Sequence, residues 1–340
     1  MSGFYELTPA QQGERVAELA RAALASWGIE PAELALLKYR ENAVFRVAAG
    51  DGRRYAIRVH RAGYHSDAEL ESELTWMRAL SEDGFDVPEL VPTAEGKLFE
   101  VVAHPGVPEP RQVDLFAWID GQPLGSVESG LEGDVESVAG TFHTIGVLAG
   151  RLHNQSARWR PPPGFTRHAW DTEGLVGERP LWGRFWELAA LSPSERDLMI
   201  RARDRVRRDL SAHERSPRNY GLIHADFAPE NLMVDGSRVR LIDFDDAGYG
   251  WHLFEIATTL YFHIGQPYFD TVERATLAGY RSERELTAAD EALLPLFYTA
   301  RGFTYLGWVH TRRETETARE LTPMLIELSC RVAKRYLGKK

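Results

Sequence analysis

The sequence predicts an α+β protein of two lobes, with a small antiparallel sheet in the first lobe and mainly helices in the second. Three short strand-like runs occur within the first 60 residues, and apolar residues recur at helical spacing from residue 135 onward. A chain of 340 residues is long enough for two domains of ordinary size. We place the boundary so that the first lobe comprises residues 1–118 and the second residues 119–340.

Composition and charge indicate a folded protein that does not bind nucleic acid. Hydrophobic residues make up 44% of the chain and charged residues 26%, as in ordinary globular proteins. The net charge of −10 argues against nucleic-acid binding, which needs Lys and Arg side chains to neutralise phosphates. The acidic balance is compatible with a cationic substrate. A single cysteine, Cys330, excludes an intrachain disulfide.

The sequence carries no sign of export or of membrane insertion. The N-terminal residues lack the basic start and apolar run of a signal peptide, and no apolar stretch of about 18 residues occurs. We therefore expect a cytoplasmic protein that does not enter the membrane, and that works as a monomer or a homodimer.

The first lobe is predicted to begin with a helix and to continue into an antiparallel meander. Thr8 as N-cap and Pro9 at the first helical position open a helix that should reach residue 27. Ser66 and Glu69 form a capping box that opens a second helix. Strands are predicted at residues 34–39, 43–48, 55–60, 98–103 and 113–119.

The second lobe is predicted to be mainly helical. A Pro-rich segment, residues 159–182, indicates a long ordered loop. Thr322 as N-cap and Pro323 at the first helical position predict the start of the last helix, which should end at Leu337. Other helices are predicted at residues 135–154, 192–212, 252–264 and 268–280, and in a segment opened by Thr287.

One stretch, Ile223–Gly248, reads IHADFAPENLMVDGSRVRLIDFDDAG and holds the strongest site pattern. His224, Asp226 and Asn231 share a turn-rich loop. An Asp-Gly turn at residues 235–236 should then fold two short strands into a hairpin. That hairpin would bring Asp226 and Asn231 to Asp243, at the end of its second strand.

The residue types at this end of the hairpin suit a metal ion and a hydroxyl. The Asn231 amide and the Asp243 carboxylate are hard oxygen ligands of the kind that Mg²⁺ takes in proteins. The remaining carboxylate, Asp226, would orient a hydroxyl and accept its proton. The alternative is an ordinary polar loop, in which Asp and Asn only make local turn contacts.

The pattern H-x-D-x-x-x-x-N followed by a metal-binding Asp is that of a kinase catalytic loop. Through this block and the run Asp243–Gly250, the chain resembles the aminoglycoside phosphotransferase and choline kinase group, especially its homoserine-kinase-like and stress-response-kinase-like branches. The resemblance implies a bilobal, protein-kinase-like fold. It also implies ATP and Mg²⁺ as cofactors and a small-molecule hydroxyl as phosphate acceptor.

The resemblance assigns nucleotide-binding roles within the first lobe. Arg58 aligns with the Lys of the kinase V-A-I-K pattern, and Glu73 matches the helix residue that pairs with that cation. Arg keeps the charge but is not interchangeable with Lys at a tight phosphate site. Asn42 lies in the hairpin that would cover the phosphates, and the backbone near Leu115 and Ala117 would bind the adenine edge. For each residue, an ordinary surface, turn or core position is the alternative.

In the second lobe the resemblance assigns two residues to the support of the catalytic loop. His224 belongs to the loop itself, and Glu255 occupies the position from which the family braces the loop through its backbone amides. A carboxylate on an apolar helix should be hydrogen-bonded, because burial without partners is costly. His153 at a helix end is interpreted as structural.

Acidic and aromatic residues after the metal-binding Asp are the predicted acceptor site. Asp245 is a second predicted metal ligand. Asp246, Tyr249 and Trp251 would suit an amine-bearing alcohol through charge and cation–π contacts. The alternative is that these residues only shape the loop.

The residues that flank the hairpin favour a small acceptor over a protein. Ala228 replaces the Lys that protein kinases place after the catalytic Asp, Asp243-Phe244-Asp245 replaces Asp-Phe-Gly, and no activation segment separates this site from the helix at residue 252. The alternatives are a Ser/Thr protein kinase of the bacterial stress-response type and a nucleotide-binding pseudokinase scaffold. Intact Asp226, Asn231 and Asp243 disfavour the scaffold.

Overall fold

The computed structural model describes residues 3–39, 42–125, 135–236 and 238–338. The chain forms two compact units. The first comprises Met1–Gly121 with Pro161–Thr166, and the second comprises Gln122–Arg160 with Arg167–Lys340. Residues 161–166, which we expected in the second lobe, therefore pack with the first unit, where the Thr166 amide donates to the Ser72 hydroxyl at 2.9 Å.

The first unit is a five-stranded antiparallel sheet with two helices, and its strand order is β1-β2-β3-β5-β4. Its elements are α1 (Pro9–Ala23), β1 (Pro31–Tyr39), β2 (Ala43–Ala49), β3 (Arg54–Val59), α2 (Asp67–Glu82), β4 (Glu100–His104) and β5 (Val107–Ala117). The predicted caps are confirmed, because the Thr8 and Ser66 side chains accept from the amides of Gln11 and Glu69.

The core of this unit forms between α1 and the sheet. Helical spacing in α1 and alternation in the strands direct the apolar residues to one shared layer. Its buried members include Val16, Leu19, Ala20, Phe45, Val47, Ile57 and Leu115. The register of β3 against β5 also places Arg58 directly opposite Asp114, so that the two side chains are cross-strand neighbours.

The second unit is mainly helical and contains two three-stranded sheets, β10-β9-β6 and β7-β11-β8. Its elements are β6 (Gln122–Pro123), α3 (Val135–Arg158), β7 (Ala169–Trp170), α4 (Thr172–Val176), α5 (Pro193–Ala212), β8 (Tyr220–Ile223), β9 (Leu232–Asp235), β10 (Arg238–Leu241), β11 (Gly248–Trp251), α6 (His252–Leu260), α7 (Phe269–Glu283), α8 (Ala288–Glu291), α9 (Leu294–Thr311) and α10 (Glu316–Tyr336). The predicted α+β class is confirmed.

The predicted hairpin is present, with its turn one residue later than expected. Leu232 pairs with Leu241 and Asp235 pairs with Arg238, so the turn contains Gly236 and not Asp235. Gly236 has a φ of +61°, which glycine adopts without the clash that a Cβ would cause.

The last helix begins earlier than predicted. Thr315 is its N-cap and accepts from the Ala318 amide at 3.2 Å, so Pro323 lies inside α10 and Thr322 is not a cap. A capping side chain at Thr315 starts the helix, and the ring of Pro323 removes a single backbone donor from it. Among the helices of the described residues, none has both the length and the apolarity needed to cross a bilayer.

Helices α3 and α7 approach each other closely through two glycines. A Cβ on Gly146 would overlap the Thr276 carbonyl oxygen, and one on Gly279 would overlap the His143 carbonyl oxygen. Glycine in mid-helix is unfavourable by propensity, so close backbone contact accounts for both residues.

We predict that Gly146→Ala lowers the free energy of unfolding by about 3 kcal/mol, because two helix backbones must separate to admit the methyl group. Gly140→Ala is the matched control in the same helix, since a Cβ there meets no described atom within 4 Å. It should raise stability by roughly 0.5–1 kcal/mol. Urea titrations measure both changes, and equal effects would contradict the close approach.

Candidate active site

The loop after β8 is held by a buried carboxylate on α6. Glu255 is fully buried and accepts hydrogen bonds from the amides of His224 and Ala225, both at 2.7 Å. Ala225 has a φ of +64°, a left-handed conformation that residues with a Cβ seldom adopt. The two bonds therefore stabilise a strained turn immediately before Asp226.

His224 links this loop to the end of the hairpin. Its Nδ1 accepts from the Asp226 amide at 3.2 Å, and its Nε2 lies 3.0 Å from the Ile242 carbonyl oxygen. A carbonyl only accepts, so Nε2 carries the proton and the ring is the neutral tautomer. The ring also packs edge-on against Phe244, with the centroids 4.6 Å apart. His224 thus has a structural role, as the resemblance implies, because it connects the loop to the end of the hairpin.

Asp226, Asn231 and Asp243 meet at one end of the hairpin. The Asn231 amide nitrogen donates to Asp226 Oδ2 at 2.7 Å and to the Asp226 carbonyl at 3.0 Å. This directs the Asn231 amide oxygen away from Asp226. The Ile242 amide donates to the Asn231 carbonyl at 3.0 Å, which brings the next residue, Asp243, beside Asn231. Asp243 has a φ of +65°, a second strained position in this site.

Arg301, which was not predicted from the sequence, contacts Asp226 from α9. Its Nη2 lies 2.7 Å from Asp226 Oδ1 and 2.8 Å from the Tyr305 hydroxyl, and its Nη1 donates to the Ala225 carbonyl at 3.1 Å. The Arg301 side chain is 0% exposed and that of Asp226 23%. A lone Arg on an apolar helix was the available signal, because a buried charge needs a partner.

The charge of Arg301 is stabilised despite its burial. Burial lowers the pKa of Arg301, but Tyr305, Asp226 and Asp246 outweigh this effect and raise the pKa above its ordinary value. The guanidinium also lies over the Tyr305 ring, 4.1 Å from its centroid. Arg301 is therefore a permanent cation between two carboxylates.

The loop after Asp243 is fastened by the segment that we predicted to be an ordered loop. Arg167 donates to the carbonyl oxygens of Asp245 and Ala247, each at 2.5 Å. Asp245, the second predicted metal ligand, is only 6% exposed. These bonds fix the backbone on both sides of Asp246.

Three further side chains hold Asp246. Its carbonyl oxygen accepts from His168 at 3.0 Å and from Trp170 at 2.9 Å, and its Oδ1 accepts from the Trp182 indole at 3.3 Å. Asp246 is half-buried, and its carboxylate raises the pKa of Arg301. The structure therefore brings Asp246 to the cluster that contains Asp226.

Trp251, which we predicted at the acceptor site, is enclosed by other side chains. Trp251 is 1% exposed and packs against His213 and Tyr220, with ring centroids 4.8 and 5.1 Å away. Tyr249 projects from the same face of β11, because residues two apart in a strand share a face. Its predicted role loses support with that of Trp251.

In the first unit, Arg58 pairs with Glu73 as the resemblance implies and with a second carboxylate that we did not predict. Arg58 lies 2.8 Å from Glu73, and it contacts both oxygens of Asp114 at 3.1 and 2.6 Å. His60 contacts Asp114 at 3.0 Å. All four residues are at most 5% exposed, so neither Arg58 nor Glu73 is a solvated surface residue.

Asp114 is a permanent anion in this cluster. Burial raises the pKa of Asp114, but Arg58 and His60 outweigh that effect and lower the pKa to about 2. The signal in the sequence was a single Asp within the apolar strand run Val113–Ala117. Two carboxylates thus share the charge of Arg58.

The predicted contacts at the edge of β5 are already occupied. The Leu115 carbonyl accepts from the Val91 amide, and the Ala117 amide donates to the Glu89 carbonyl, both at 2.8 Å. An amide has one proton to donate, so an adenine contact with the Ala117 amide would break a bond of the sheet. The structure therefore does not support an adenine contact with these groups.

The predicted phosphate-covering turn is described only at its end. The Asn42 side chain accepts from the Arg61 amide at 3.1 Å, which ties the end of the turn to the residues after β3. Residues 40 and 41 of the predicted turn lie outside the described residues.

Burial raises the pKa of Glu255 to about 7, against the opposing effects of His224 and of the amides of His224 and Ala225. Between pH 4.5 and 7 the folded protein then keeps a proton that the unfolded chain has released. This contribution to stability is fully present below pH 4.5 and is lost as the pH rises through 7.

We predict that Glu255→Gln removes this pH dependence, because an amide does not titrate. From pH 5 to pH 8, the unfolding free energy of the wild type should fall relative to that of the variant by about 2–3 kcal/mol. The exposed Glu285→Gln is the matched control and should follow the wild type. A constant difference between wild type and Glu255→Gln in urea titrations would show that Glu255 stays ionised throughout.

Comparisons with known proteins identify the family to which the chain belongs. The sequence pattern of the phosphotransferase enzyme family matches residues 33–292. Amicoumacin kinase of Bacillus subtilis is 25% identical over 312 residues, which cover 89% of this chain and 87% of that protein. Homoserine kinase of Sinorhizobium fredii is 28% identical over 273 residues, which cover 77% of this chain and 73% of that protein.

Solved structures show the same fold. A microcompartment-associated aminopropanol kinase has a TM-score of 0.83 at 35% identity and covers 94% of this chain and 97% of its own. A spectinomycin phosphotransferase, at 13% identity, has a TM-score of 0.60, with coverage of 94% and 97%, and supports the fold alone.

The protein-kinase alternative gains no support, and the named kinases argue against a scaffold. The chain therefore belongs to the phosphotransferase enzyme family, as a small-molecule kinase with the protein-kinase-like fold.

Proposed function

We propose that this kinase transfers the γ-phosphate of Mg-ATP to the hydroxyl of a small amine-bearing molecule. The observation that carries the proposal is the convergence of Asp226, Asn231 and Asp243 at one end of the β9–β10 hairpin. Asp226 is held there by Arg301 on one carboxylate oxygen and by Asn231 on the other. Kinase catalytic loops use the same residue types for phosphoryl transfer.

The donor set at this end of the hairpin fits a magnesium ion. The Asn231 amide nitrogen is bonded to Asp226, which leaves the amide oxygen as a hard ligand, and the Asp243 carboxylate would supply a second one. Asp245 is a further proposed ligand. A bound Mg²⁺ would neutralise charge on the transferred phosphate. In the first unit, Arg58 oriented by Glu73 would supply the phosphate-binding cation.

Asp226 would act on the acceptor hydroxyl. Its carboxylate is partly exposed, whereas the groups that hold it are buried. A carboxylate at hydrogen-bonding distance orients the hydroxyl and accepts its proton as the bond to phosphorus forms. Positioning and proton acceptance are then separate from metal binding, which falls to Asn231 and Asp243.

Charge balance around Arg301 supports an amine-bearing acceptor. Two carboxylates, Asp226 and Asp246, act on one buried cation, so this cluster carries a net charge of −1. An ammonium group would neutralise this charge. Aminopropanol and homoserine, the substrates that the names of two relatives give, are both alcohols that carry an amine.

We predict different losses for the two aspartates of the site. Asp226→Asn should lower kcat by roughly two to four orders of magnitude with little change in nucleotide affinity, because it acts on the acceptor. Asp243→Ala should abolish turnover and also weaken Mg-nucleotide binding, because the metal loses its carboxylate. ADP release and calorimetry with Mg-AMP-PNP measure the two effects.

Asp235→Asn is the control for these variants, because Asp235 lies in the same hairpin at its far end and should leave both quantities unchanged. Lost nucleotide affinity with a near-normal kcat in Asp226→Asn would make Asp226 a metal ligand instead.

We predict that Asp246→Asn raises the KM for an amine-bearing acceptor roughly tenfold or more, because a charge-assisted contact is lost. The assay compares aminopropanol, homoserine, choline and aminoglycosides with a generic protein substrate and with the amine-free alcohol that matches the best acceptor. The exposed Asp270→Asn in the same unit is the control. An equal effect of Asp246→Asn on the amine-free alcohol would refute the ammonium contact.

A further inference from the structure

Arg301 is a buried cation that no part of the proposed phosphate or metal chemistry uses. Its side chain is 0% exposed, whereas that of its partner Asp226 is 23% exposed. A guanidinium with no exposed surface cannot reach an acceptor or a nucleotide, so any effect on the reaction must pass through a neighbour. Among the groups that Arg301 hydrogen-bonds in the described residues, the Asp226 carboxylate has the most exposed surface.

We propose that Arg301 is a positioning residue of the phosphoryl transfer and that it acts through Asp226. The inference rests on the proposed role of Asp226. Arg301 donates to Asp226 Oδ1 at 2.7 Å, and Asn231 donates to Oδ2 at the same distance. The terminal torsion of an aspartate is otherwise broad, and one donor on each oxygen fixes the plane of the carboxylate.

The same guanidinium also fixes the backbone before Asp226. Its Nη1 donates to the carbonyl of Ala225, the residue held at a φ of +64°. Side chain and backbone are thus set by one rigid group. The planar arginine guanidinium offers several differently directed donors, a geometry that a lysine ammonium cannot reproduce.

Arg301 is itself held by aromatic side chains. The Tyr305 hydroxyl lies 2.8 Å from Nη2, and the guanidinium carbon lies 4.1, 4.9 and 5.5 Å from the ring centroids of Tyr305, Trp182 and Phe254. Such an aromatic enclosure restricts the guanidinium to one orientation. The position of Asp226 is therefore determined by the packing of α9 and not by the loop alone.

The test is a double-mutant cycle on kcat, with Mg-ATP and aminopropanol as substrates. Arg301→Met should lower kcat roughly ten- to a hundredfold, because a misplaced catalytic group costs about that much. Mg-AMP-PNP affinity should stay within about twofold of the wild type. Arg301→Lys keeps the charge and one donor and should lose less activity than Arg301→Met.

The decisive comparison is made in the Asp226→Asn background. If Arg301 acts through Asp226, adding Arg301→Met to Asp226→Asn should change kcat by no more than about twofold. If the fold-losses in kcat of the two single variants multiply in the double variant, the inference is overturned, while the role of Asp226 stands. A near-normal kcat in Asp226→Asn alone would overturn the proposed function and this inference with it.

A matched control separates positioning from loss of folding. Arg284→Met removes another guanidinium of the same unit, which binds the Asn154 side chain and the carbonyls of Pro217 and Arg218. It should lower stability but leave the kcat of the folded protein unchanged. If Arg301→Met does not fold, the cycle is run with Arg301→Lys. Losses in kcat that multiply between Arg301→Lys and Asp226→Asn would equally refute the inference.

Discussion

The loop that carries the proposed active site depends on one buried carboxylate. Glu255 accepts from the amides of His224 and Ala225, and no other side chain of the described residues is seen to bond both. Without these bonds the left-handed conformation of Ala225 would relax, since strained backbone persists only where its surroundings hold it. The turn determines the position of Asp226. It also determines the hydrogen bond between His224 and Ile242 and the contact between Asp226 and Arg301. The loop is thus built on α6, a helix whose residues are all buried.

Both units place a buried arginine against carboxylates, and the two arrangements serve different ends. Arg58 is shared by Glu73 and Asp114, both fully or nearly buried, so its guanidinium is oriented by groups inside the protein. Arg301 is shared by Asp226 and Asp246, which are only partly buried. Paired buried charges add little net stability, because desolvation offsets their attraction. Removal of one partner, however, lowers stability severely, because the other charge is left buried and unpaired. Orientation of groups is therefore a better explanation for both arrangements than stability.

Local chemistry explains which features were predictable from the sequence. The H-x-D-x-x-x-x-N spacing and the hairpin were readable because a short loop and a tight turn fix their own geometry, and the helix caps at Thr8, Ser66 and Ser192 depend on adjacent residues. Arg301 lies 75 residues from Asp226, and Asp114 lies 56 residues from Arg58, so neither contact has a local signal. The burial of Trp251 was not predictable for the same reason, because it depends on His213 and Tyr220. Pro323 led to a wrong start for the last helix, because Thr315 caps that helix earlier in the chain.

The two units are not consecutive pieces of chain. Pro161–Thr166 belongs to the first unit although the residues on either side of it belong to the second, and Thr166 bonds to Ser72 on α2. During synthesis the first unit therefore cannot be completed when residue 121 leaves the ribosome, since it must wait until α3 and the segment after it have emerged. A fragment that stops at Gly121 would leave the Ser72 end of α2 without this partner. Autonomous expression of the first unit would need the later segment supplied in some other way.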